Sequence, residues 1–387
     1  MKNNSPRLID IAENAGLSVT TVSRILSGQR LGEYNTKTQE RVRKIATELG
    51  WRPNLVVQGM KTGKTQTIGV FMAPFDTHWT GVLYGVHDAL LDAKQVPLVL
   101  WPHALVHPTL NPEAVEAWAV GRGTPVNPAS PTTPPPPDSP GLTGDPGGND
   151  VDPDASDRRE LERIHCLEDR RVDAIISWPL HEKNARQRLA MLSARGWRVV
   201  LLDDDLPEPA KPTRVGSDEA QAMRQAVEHL RELGHQRLAY VGLARHQGWV
   251  ERRYQMFRAA TQDDPQTPCL ELAGPSYHQH RDVAPFLQAH PQITAVVAAS
   301  DHVARQVILA ARSIDRPVPQ RLSVVGFGND VFGQGDLPLT TIDQQPYDLG
   351  RLAAEIALQP KKNSRQVKQV PTRLIVRQST APPTACS

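Results

Sequence analysis

Apolar residues at the start of the chain recur at helical spacing. Before Gly16 they stand at positions i, i+3, i+4 and i+7, which defines one apolar helix face: Leu8, Ile11, Ala12 and Ala15. Gly16 is expected to adopt the left-handed backbone conformation that ends this helix. Ser18 predicts the N-cap of a second helix that runs from Val19 to about Ser27. Two short helices joined by a tight turn that contains Gly indicate a helix-turn-helix unit.

A third helix is predicted behind these two. It begins at Asn35 or Thr36 and ends at Gly50, and the residues expected to be buried on it are Val42, Ile45, Ala46 and Leu49. In the second helix, Val22 and Ile25 are assigned to the core. The pattern therefore predicts a small three-helix domain at the N-terminus.

From Thr67 onward, short apolar runs alternate with helical patterns. Strands are predicted at 67–72, 97–101, 174–178, 198–203, 238–242, 269–272, 295–299 and 323–327. Helices are predicted near 79–94, 157–170, 184–195, 217–234, 250–261, 281–290 and 303–314. This alternation favours parallel sheets with helices on both faces. Two such units in series indicate two lobes, with ligands expected at the carboxyl ends of the strands.

Residues 104–156 depart from this pattern. They contain twelve prolines and seven acidic residues but only one basic residue, Arg122. We expect an exposed, largely disordered insertion in the first lobe, because such a composition cannot build a core. A tolerated surface insertion is favoured over a partner-binding arm or a lid, because the cost of closing a loop grows slowly with its length.

Composition narrows the class of protein. No run approaches the roughly 18–20 apolar residues that span a bilayer, and no secretory signal is found at the N-terminus. The three cysteines form no metal-ligand or disulfide pattern, so we expect a cytoplasmic protein without metal or cofactor. Residues 1–64 carry eleven basic and five acidic residues, a net charge of +6, while the whole chain carries +2. A basic N-terminal domain points to a polyanionic partner.

The second helix would lie in the major groove of DNA with its N-terminal side chains at the base edges. Val19 and Thr20 are then the residues expected to contact bases, through a thymine methyl group or a hydroxyl hydrogen bond. Contacts to bases or phosphates are expected from the neighbouring Ser18, Thr21, Ser23 and Arg24.

Three sequence blocks resemble the lactose/galactose repressor family over nearly the whole chain: LIDIAENAGLSVTTVSRILSG, TQERVRKIATELGWRPN and MKTGKTQTIGV. The resemblance implies a two-lobed clamshell similar to periplasmic binding proteins. It also implies a hinge helix after residue 53 that orders on operator DNA, with Asn54 as a DNA contact. Met60 occupies the position of a leucine that wedges into the minor groove.

The same resemblance places effector-binding residues at the carboxyl ends of strands. They are Asp76, His78, Trp79, Asp203, Arg253, Ser300, Asp301 and Asn329, and Asp301 fits the family pattern best. Such groups suit a small polar ligand, namely a sugar, a sugar derivative or a nucleoside. The family usually has an aspartate pair where this chain has Gly328-Asn329, which puts a plain sugar effector in doubt.

Three other classes of protein remain open. An enzyme could use Asp203, Asp204 and Asp205 for metal binding or acid–base chemistry, but no nucleophile, phosphate loop or metal-spaced histidine cluster accompanies them. A periplasmic sugar-binding protein would suit the lobes but not the helix-turn-helix. A regulator controlled by a protein partner through the insertion is the remaining alternative.

The favoured hypothesis is a DNA-binding transcription regulator, expected to repress, whose operator affinity is controlled by a small effector between the lobes. The predicted domains are 1–52 for DNA binding, 53–66 for the hinge, 67–345 for the two lobes and 346–387 for a C-terminal crossover segment and tail. A homodimer on a pseudo-palindromic double-stranded operator is expected, because a two-fold protein matches two half-sites.

Overall fold

The computed structural model describes residues 6–53, 57, 59, 63–72, 77–100, 153–178, 183–206, 209–243, 248–262, 264–272, 280–330, 337–360 and 365–384. The chain divides into two compact units, Met1–Gln66 and Thr67–Ser387. Most of the predicted insertion, together with Asn54, Met60 and Asp76, lies outside the described residues. The first helix after the insertion begins at Pro153, so the last four residues of the predicted insertion are helical.

The N-terminal unit contains the three predicted helices, α1 (Leu8–Ala15), α2 (Val19–Leu26) and α3 (Thr36–Glu48). Gly16 has φ of 63°, the left-handed conformation that ends α1. The core of this unit consists of Ile11, Ala12, Ala15, Val22, Ile25, Val42 and Ala46. The prediction that Leu49 is buried was wrong: it is 38% exposed, because it follows the last turn of α3 as the C-cap.

The second unit contains twelve strands and eight helices in its described part. The strands are β1 (Thr67–Phe71), β2 (Val96–Leu100), β3 (Ala174–Ser177), β4 (Val199–Leu202), β5 (Thr213–Ser217), β6 (Leu238–Leu243), β7 (Cys269–Leu272), β8 (Ala295–Ala298), β9 (Ser323–Phe327), β10 (Thr340–Asp343), β11 (Gln366–Val370) and β12 (Arg373–Ile375). The helices are α4 (Thr77–Asp92), α5 (Pro153–Asp169), α6 (Lys183–Ala194), α7 (Glu219–Glu232), α8 (Gly248–Ala260), α9 (His280–Ala289), α10 (Asp301–Ser313) and α11 (Pro346–Leu358).

The strands form two sheets, each the centre of one lobe. The first lobe has the strand order β11-β5-β4-β3-β1-β2, with every described pairing parallel. The second has the order β12-β10-β9-β8-β6-β7, in which only the β10–β12 pairing is antiparallel. Strands such as Ala174–Ser177 and Ala295–Ala298 are buried along their whole length, as parallel strands covered on both faces are. The predicted parallel-sheet architecture with two lobes is confirmed.

The chain crosses between the lobes three times: between β5 and α7, between β10 and α11, and between β11 and β12. The three crossings are hydrogen-bonded to one another. The Gln344 Nε2 atom donates to Ser217 Oγ at 3.2 Å, and the Asp218 N–H donates to the Val370 carbonyl at 2.9 Å. These buried contacts tie the crossings into one connection at the base of the cleft between the lobes.

The predicted elements of 67–327 are observed within a few residues of their predicted ends. Four of the elements that flank the crossings, β5, β10, β11 and α11, were not predicted from the sequence. Strand β11 is largely exposed, so its sequence QVKQV lacks a buried apolar run. No described helix is long and apolar enough to cross a membrane.

Candidate functional site

Helix α2 presents its N-terminal end outward. Val19 is 41% exposed and Thr20 is exposed, whereas Val22 and Ile25 are buried in the core. Ser18 caps the helix, because its Oγ atom accepts a hydrogen bond from the Thr21 N–H at 3.1 Å. Within the described residues, the side chains of Val19 and Thr20 are therefore placed for contact with another molecule.

Three other residues of the α2 region predicted to contact DNA, Ser18, Thr21 and Arg24, have side-chain partners within the N-terminal unit. The hydroxyls of Ser18 and Thr21 are 2.9 Å apart and bond to each other. Ser23 and Arg24 are half-buried. A hydrogen bond with Tyr34 raises the pKa of the Arg24 guanidinium and joins it to the loop before α3.

Arg253 on α8 belongs to the second lobe and interacts electrostatically with His78 and Asp203 of the first lobe. Its Nε atom donates to Glu219 Oε1 at 3.1 Å, and its Nη1 atom donates to the Ala299 carbonyl at 2.8 Å. The guanidinium carbon is 4.7 Å from the ring centre of Trp249 and 3.9 Å from that of Phe327. Arg253 is 7% exposed and is thus fixed on its edges by oxygen atoms and on its faces by aromatic rings.

Asp203 comes from the first lobe, immediately after β4, and is 6% exposed. Its Oδ1 atom is buried without a hydrogen-bond partner in the described part of the chain. Burial and the nearby Glu219 carboxylate raise the pKa of Asp203 to about 6, against the opposing effect of Arg252, Arg253 and Arg214. The carboxylate lies over Gly216, where a β-carbon would stand 2.3 Å from Oδ1. Glycine at 216 is what gives Asp203 this position.

His78 lies in the first turn of α4, and its Nδ1 atom is buried without a partner among the described residues. Burial and the positive charge of Arg253 lower the pKa of His78 to about 3, so its imidazole is neutral at ordinary pH. The His78 ring stands edge-on to Trp79, with ring centres 5.0 Å apart, and Trp79 packs in turn against Trp178 at 5.6 Å. These residues form an aromatic wall on the first lobe.

The remaining predicted effector residues form a separate network within the second lobe. Asp301 is fully buried, and its carboxylate accepts hydrogen bonds from Thr341 Oγ1 at 2.5 Å and from the Asp330 N–H at 2.9 Å. Burial and the neighbouring Asp330 raise its pKa to about 7. Ser300 caps α10 through the Val303 N–H, and Asn329 Oδ1 accepts from Arg377 Nη2 at 2.7 Å. These polar groups bond to other residues of the second lobe, and their role in effector binding stays a prediction.

The three consecutive aspartates contact arginines. Asp204 accepts a hydrogen bond from Arg186, and Asp205 pairs with Arg365. No group of three or more potential metal ligands occurs within the described residues. The arrangement around Asp203 is therefore one of ion pairs and hydrogen bonds.

Two further residues, Glu219 and Arg252, organise the cleft but were not predicted from the sequence. Glu219 opens α7, is 4% exposed, and accepts from Arg253 through Oε1 and from Arg252 Nε through Oε2 at 3.1 Å. Arg252 also donates from Nη2 to the Asp203 carbonyl at 2.7 Å. The adjacent arginines gave a signal in the sequence, but their shared partner lies 33 residues away from Arg252.

Two protein-family models match the chain. The model of the bacterial regulatory proteins of the lacI family matches residues 7–54, and that of the periplasmic binding protein-like domain matches residues 227–380. Among curated proteins, the ribose operon repressor of Halalkalibacterium halodurans is 23% identical over 96% of both chains. The regulator GalS of Salmonella typhimurium is 26% identical over 90% of this chain and 88% of its own.

Solved structures share the fold. The Lac repressor dimer bound to operator and an anti-inducer is 19% identical, with a TM-score of 0.69 over 98% of this chain and 100% of its own. The transcriptional regulator CelR in complex with cellobiose is 21% identical, with a TM-score of 0.60 over 97% of this chain and 99% of its own. A regulator from Enterococcus faecium with bound ribose is 21% identical, with a TM-score of 0.55 over 82% of this chain and 99% of its own. With a lacI-type DNA-binding domain followed by a periplasmic binding protein-like domain, the chain belongs to the lacI family and is a DNA-binding transcription regulator rather than an enzyme.

Proposed function

We propose that this regulator binds a pseudo-palindromic double-stranded operator as a homodimer in the cytoplasm and represses transcription there. Ser18, Val19, Thr20, Thr21, Ser23 and Arg24 of the α2 region supply the DNA contacts, with Asn54 and Met60 of the hinge predicted to add to them. A small polar effector in the cleft, a sugar, sugar derivative or nucleoside, controls its affinity for the operator.

The observation that carries the effector proposal is the set of buried polar atoms around Arg253. His78 Nδ1 and Asp203 Oδ1 come from the first lobe, and both lack a hydrogen-bond partner within the described ranges. Leaving such atoms unpaired costs stability, and a ligand with hydroxyl groups would satisfy them. Trp79 and Trp249 add flat apolar faces of the kind that stack on a sugar ring or a base.

Relatives of the same fold support both partners. The Lac repressor structure contains a dimer on its operator, and structures of other family members contain cellobiose, ribose and sucrose. The curated relatives include a ribose operon repressor. Nothing in the described residues favours control by a protein partner, since most of the insertion on which that alternative rests lies outside them.

Control of DNA affinity requires only that the effector bind two arrangements of the protein unequally. The two binding equilibria are linked. If the effector changes the affinity for the operator by a given factor, the operator changes the affinity for the effector by the same factor. Residues from both lobes surround the cleft, so a ligand held by Asp203 and Arg253 favours one relation between the lobes.

The test is selection of bound sites from a random DNA pool by the full-length protein, repeated with pools of sugars and nucleosides. The proposal expects a two-fold symmetric site whose occupancy changes with one of the pools. Selection of no symmetric site would overturn the DNA part of the proposal. A symmetric site indifferent to every pool would overturn the effector part.

A further inference from the structure

We propose that Glu219 is a positioning residue that sets the charge preference of the cleft, so that an uncharged ligand is accepted and an anionic ligand is excluded. This inference rests on the proposed function of the cleft. It adds a residue that neither the family pattern nor the sequence analysis assigned, and it narrows the effector to one without a negative charge.

Glu219 holds Arg252 and Arg253 of α8 at once. Its Oε1 atom accepts from Arg253 Nε and its Oε2 atom accepts from Arg252 Nε, each at 3.1 Å. The carboxylate is almost fully buried, with its side chain 5% exposed. A buried carboxylate shared by two guanidiniums fixes their orientation and offsets part of their positive charge.

Each of the two guanidiniums has already committed two of its five N–H donors, including Nε. Besides the bonds to Glu219, Arg253 Nη1 donates to the Ala299 carbonyl at 2.8 Å and Arg252 Nη2 donates to the Asp203 carbonyl at 2.7 Å. Each guanidinium therefore keeps one nitrogen outside these bonds. Side-on bidentate binding of a phosphate or carboxylate uses Nε and one terminal nitrogen of a guanidinium, and it is closed at both arginines because each Nε is bonded to Glu219.

Two carboxylates, those of Glu219 and Asp203, lie near the guanidiniums of Arg252 and Arg253. The Asp203 carboxylate lies close enough to Glu219 for the two negative charges to interact, and this interaction contributes to the raised pKa of Asp203. Arg214 is a third cation near Asp203, with a weaker effect than those of Arg252 and Arg253. An anionic ligand at Arg253 would meet the repulsion of the Glu219 carboxylate at short range, where the low dielectric strengthens it.

The uncommitted buried groups are of a different kind. His78 is neutral, because its pKa is lowered to about 3, and its Nδ1 atom lacks a partner in the described chain. Asp203 Oδ1 is a hydrogen-bond acceptor that is likewise buried without a partner among the described residues. A ligand hydroxyl can hydrogen-bond to a neutral imidazole and can donate to a carboxylate oxygen. Phosphate oxygens are acceptors, so they form no hydrogen bond with the Asp203 carboxylate.

The experiment compares full-length wild type with Glu219→Gln and Glu219→Asp, using inorganic phosphate and the pair ribose and ribose 5-phosphate as probes. Binding is followed as ligand-dependent thermal stabilisation at constant ionic strength. Glu168→Gln is the matched control, since Glu168 bonds Arg188 Nε at 2.8 Å in the first lobe, away from the cleft.

We expect Glu219→Gln to gain phosphate binding by about tenfold or more, the effect of one charge removed at short range. Glu219→Asp keeps the charge and should behave as the wild type toward phosphate, as should Glu168→Gln. Wild-type protein that binds phosphate or ribose 5-phosphate more tightly than ribose would overturn the inference. An unchanged phosphate response in folded Glu219→Gln would also overturn it.

Failure here is distinguishable from failure of the proposed function. If phosphate binding does not change but sugars alter operator occupancy, the cleft binds an effector and Glu219 does not set its charge. If Glu219→Gln does not fold, the wild-type preference between ribose and ribose 5-phosphate decides the inference.

Discussion

Arg252 in the second lobe donates from its Nη2 atom to the backbone carbonyl of Asp203 in the first lobe, over 2.7 Å. The Nε atom of the same guanidinium donates a hydrogen bond to Glu219 Oε2 at 3.1 Å. Asp203 has φ of 48°, the left-handed region, which is an uncommon backbone conformation for aspartate. A charged side chain from one lobe thus holds a special backbone position of the other, directly beside the proposed effector site.

Arg252→Ala should shift the lobes toward more open arrangements. The lost hydrogen bond involves a charged donor and contributes about 2 kcal/mol to the observed arrangement. The measurement is the radius of gyration by small-angle X-ray scattering, which should increase. Arg186→Ala is the control, because Arg186 bonds Asp204 and the Asp205 carbonyl within the first lobe. Equal radii for Arg252→Ala and the wild type would contradict the assignment.

Asp203→Asn should stabilise the protein in a pH-dependent way. The pKa of Asp203 is about 6 in the folded protein and about 4 in an unfolded chain. The folded state therefore retains a proton between these values that the unfolded state has lost, and the unfolding free energy falls as pH rises through this window. Asparagine does not titrate, so the unfolding free energy of the variant does not fall in this way.

The difference in unfolding free energy between Asp203→Asn and wild type should be near zero at pH 4 and reach about 2–3 kcal/mol at pH 7. Urea denaturation at several pH values measures it. A difference that does not change with pH would mean that the carboxylate is not buried as the structure shows. The gain in stability should be accompanied by weaker effector binding, because Asp203 Oδ1 is one of the unpartnered atoms of the cleft.

Asp301→Ala should destabilise the second lobe by about 2–4 kcal/mol, since it leaves the buried Thr341 hydroxyl and the Asp330 N–H without their acceptor. Asp301→Asn keeps an oxygen for one of these donors and should cost less. Chemical denaturation distinguishes the two variants. Unfolding midpoints equal to that of the wild type would show that Asp301 is not a structural residue.

Thr20→Ala should change which operator bases are preferred, because the Thr20 side chain is exposed on the N-terminal turn of α2. A lost base contact is expected to cost about 1–3 kcal/mol at one base pair. Thr47→Ala, at an exposed position of α3, is the control. Base preferences measured on a randomised operator pool should differ only for Thr20→Ala. Unchanged preferences would mean that another residue contacts those bases.

The helices and most strands could be predicted because their signals are local. Ser18 and Gly16 act within one or two turns of their own helices, and the buried strand 295–298 is a short apolar run. The crossing elements could not be predicted in this way. Strand β11 pairs with β5 at the sheet edge, more than 140 residues earlier in the chain, and carries polar side chains.

The candidate site shows the same division. Family positions identified Arg253, Asp203 and His78, and in the structure Arg253 interacts electrostatically with both of the others. The role of Asp301 depends on Thr341, 40 residues away, and the role of Arg253 depends on Glu219, 34 residues away. Contacts between distant residues decide which polar side chains hold the protein together and which remain for a ligand.

The central claim is that a small molecule bound at Arg253 controls operator occupancy. The most direct measurement is binding of full-length wild type and Arg253→Ala to the selected operator, titrated with the sugar or nucleoside that emerges from the pools. The account predicts that the ligand changes wild-type occupancy and that Arg253→Ala still binds the operator but responds about tenfold or more weakly. An Arg253→Ala variant that responds to the ligand as the wild type does would contradict it.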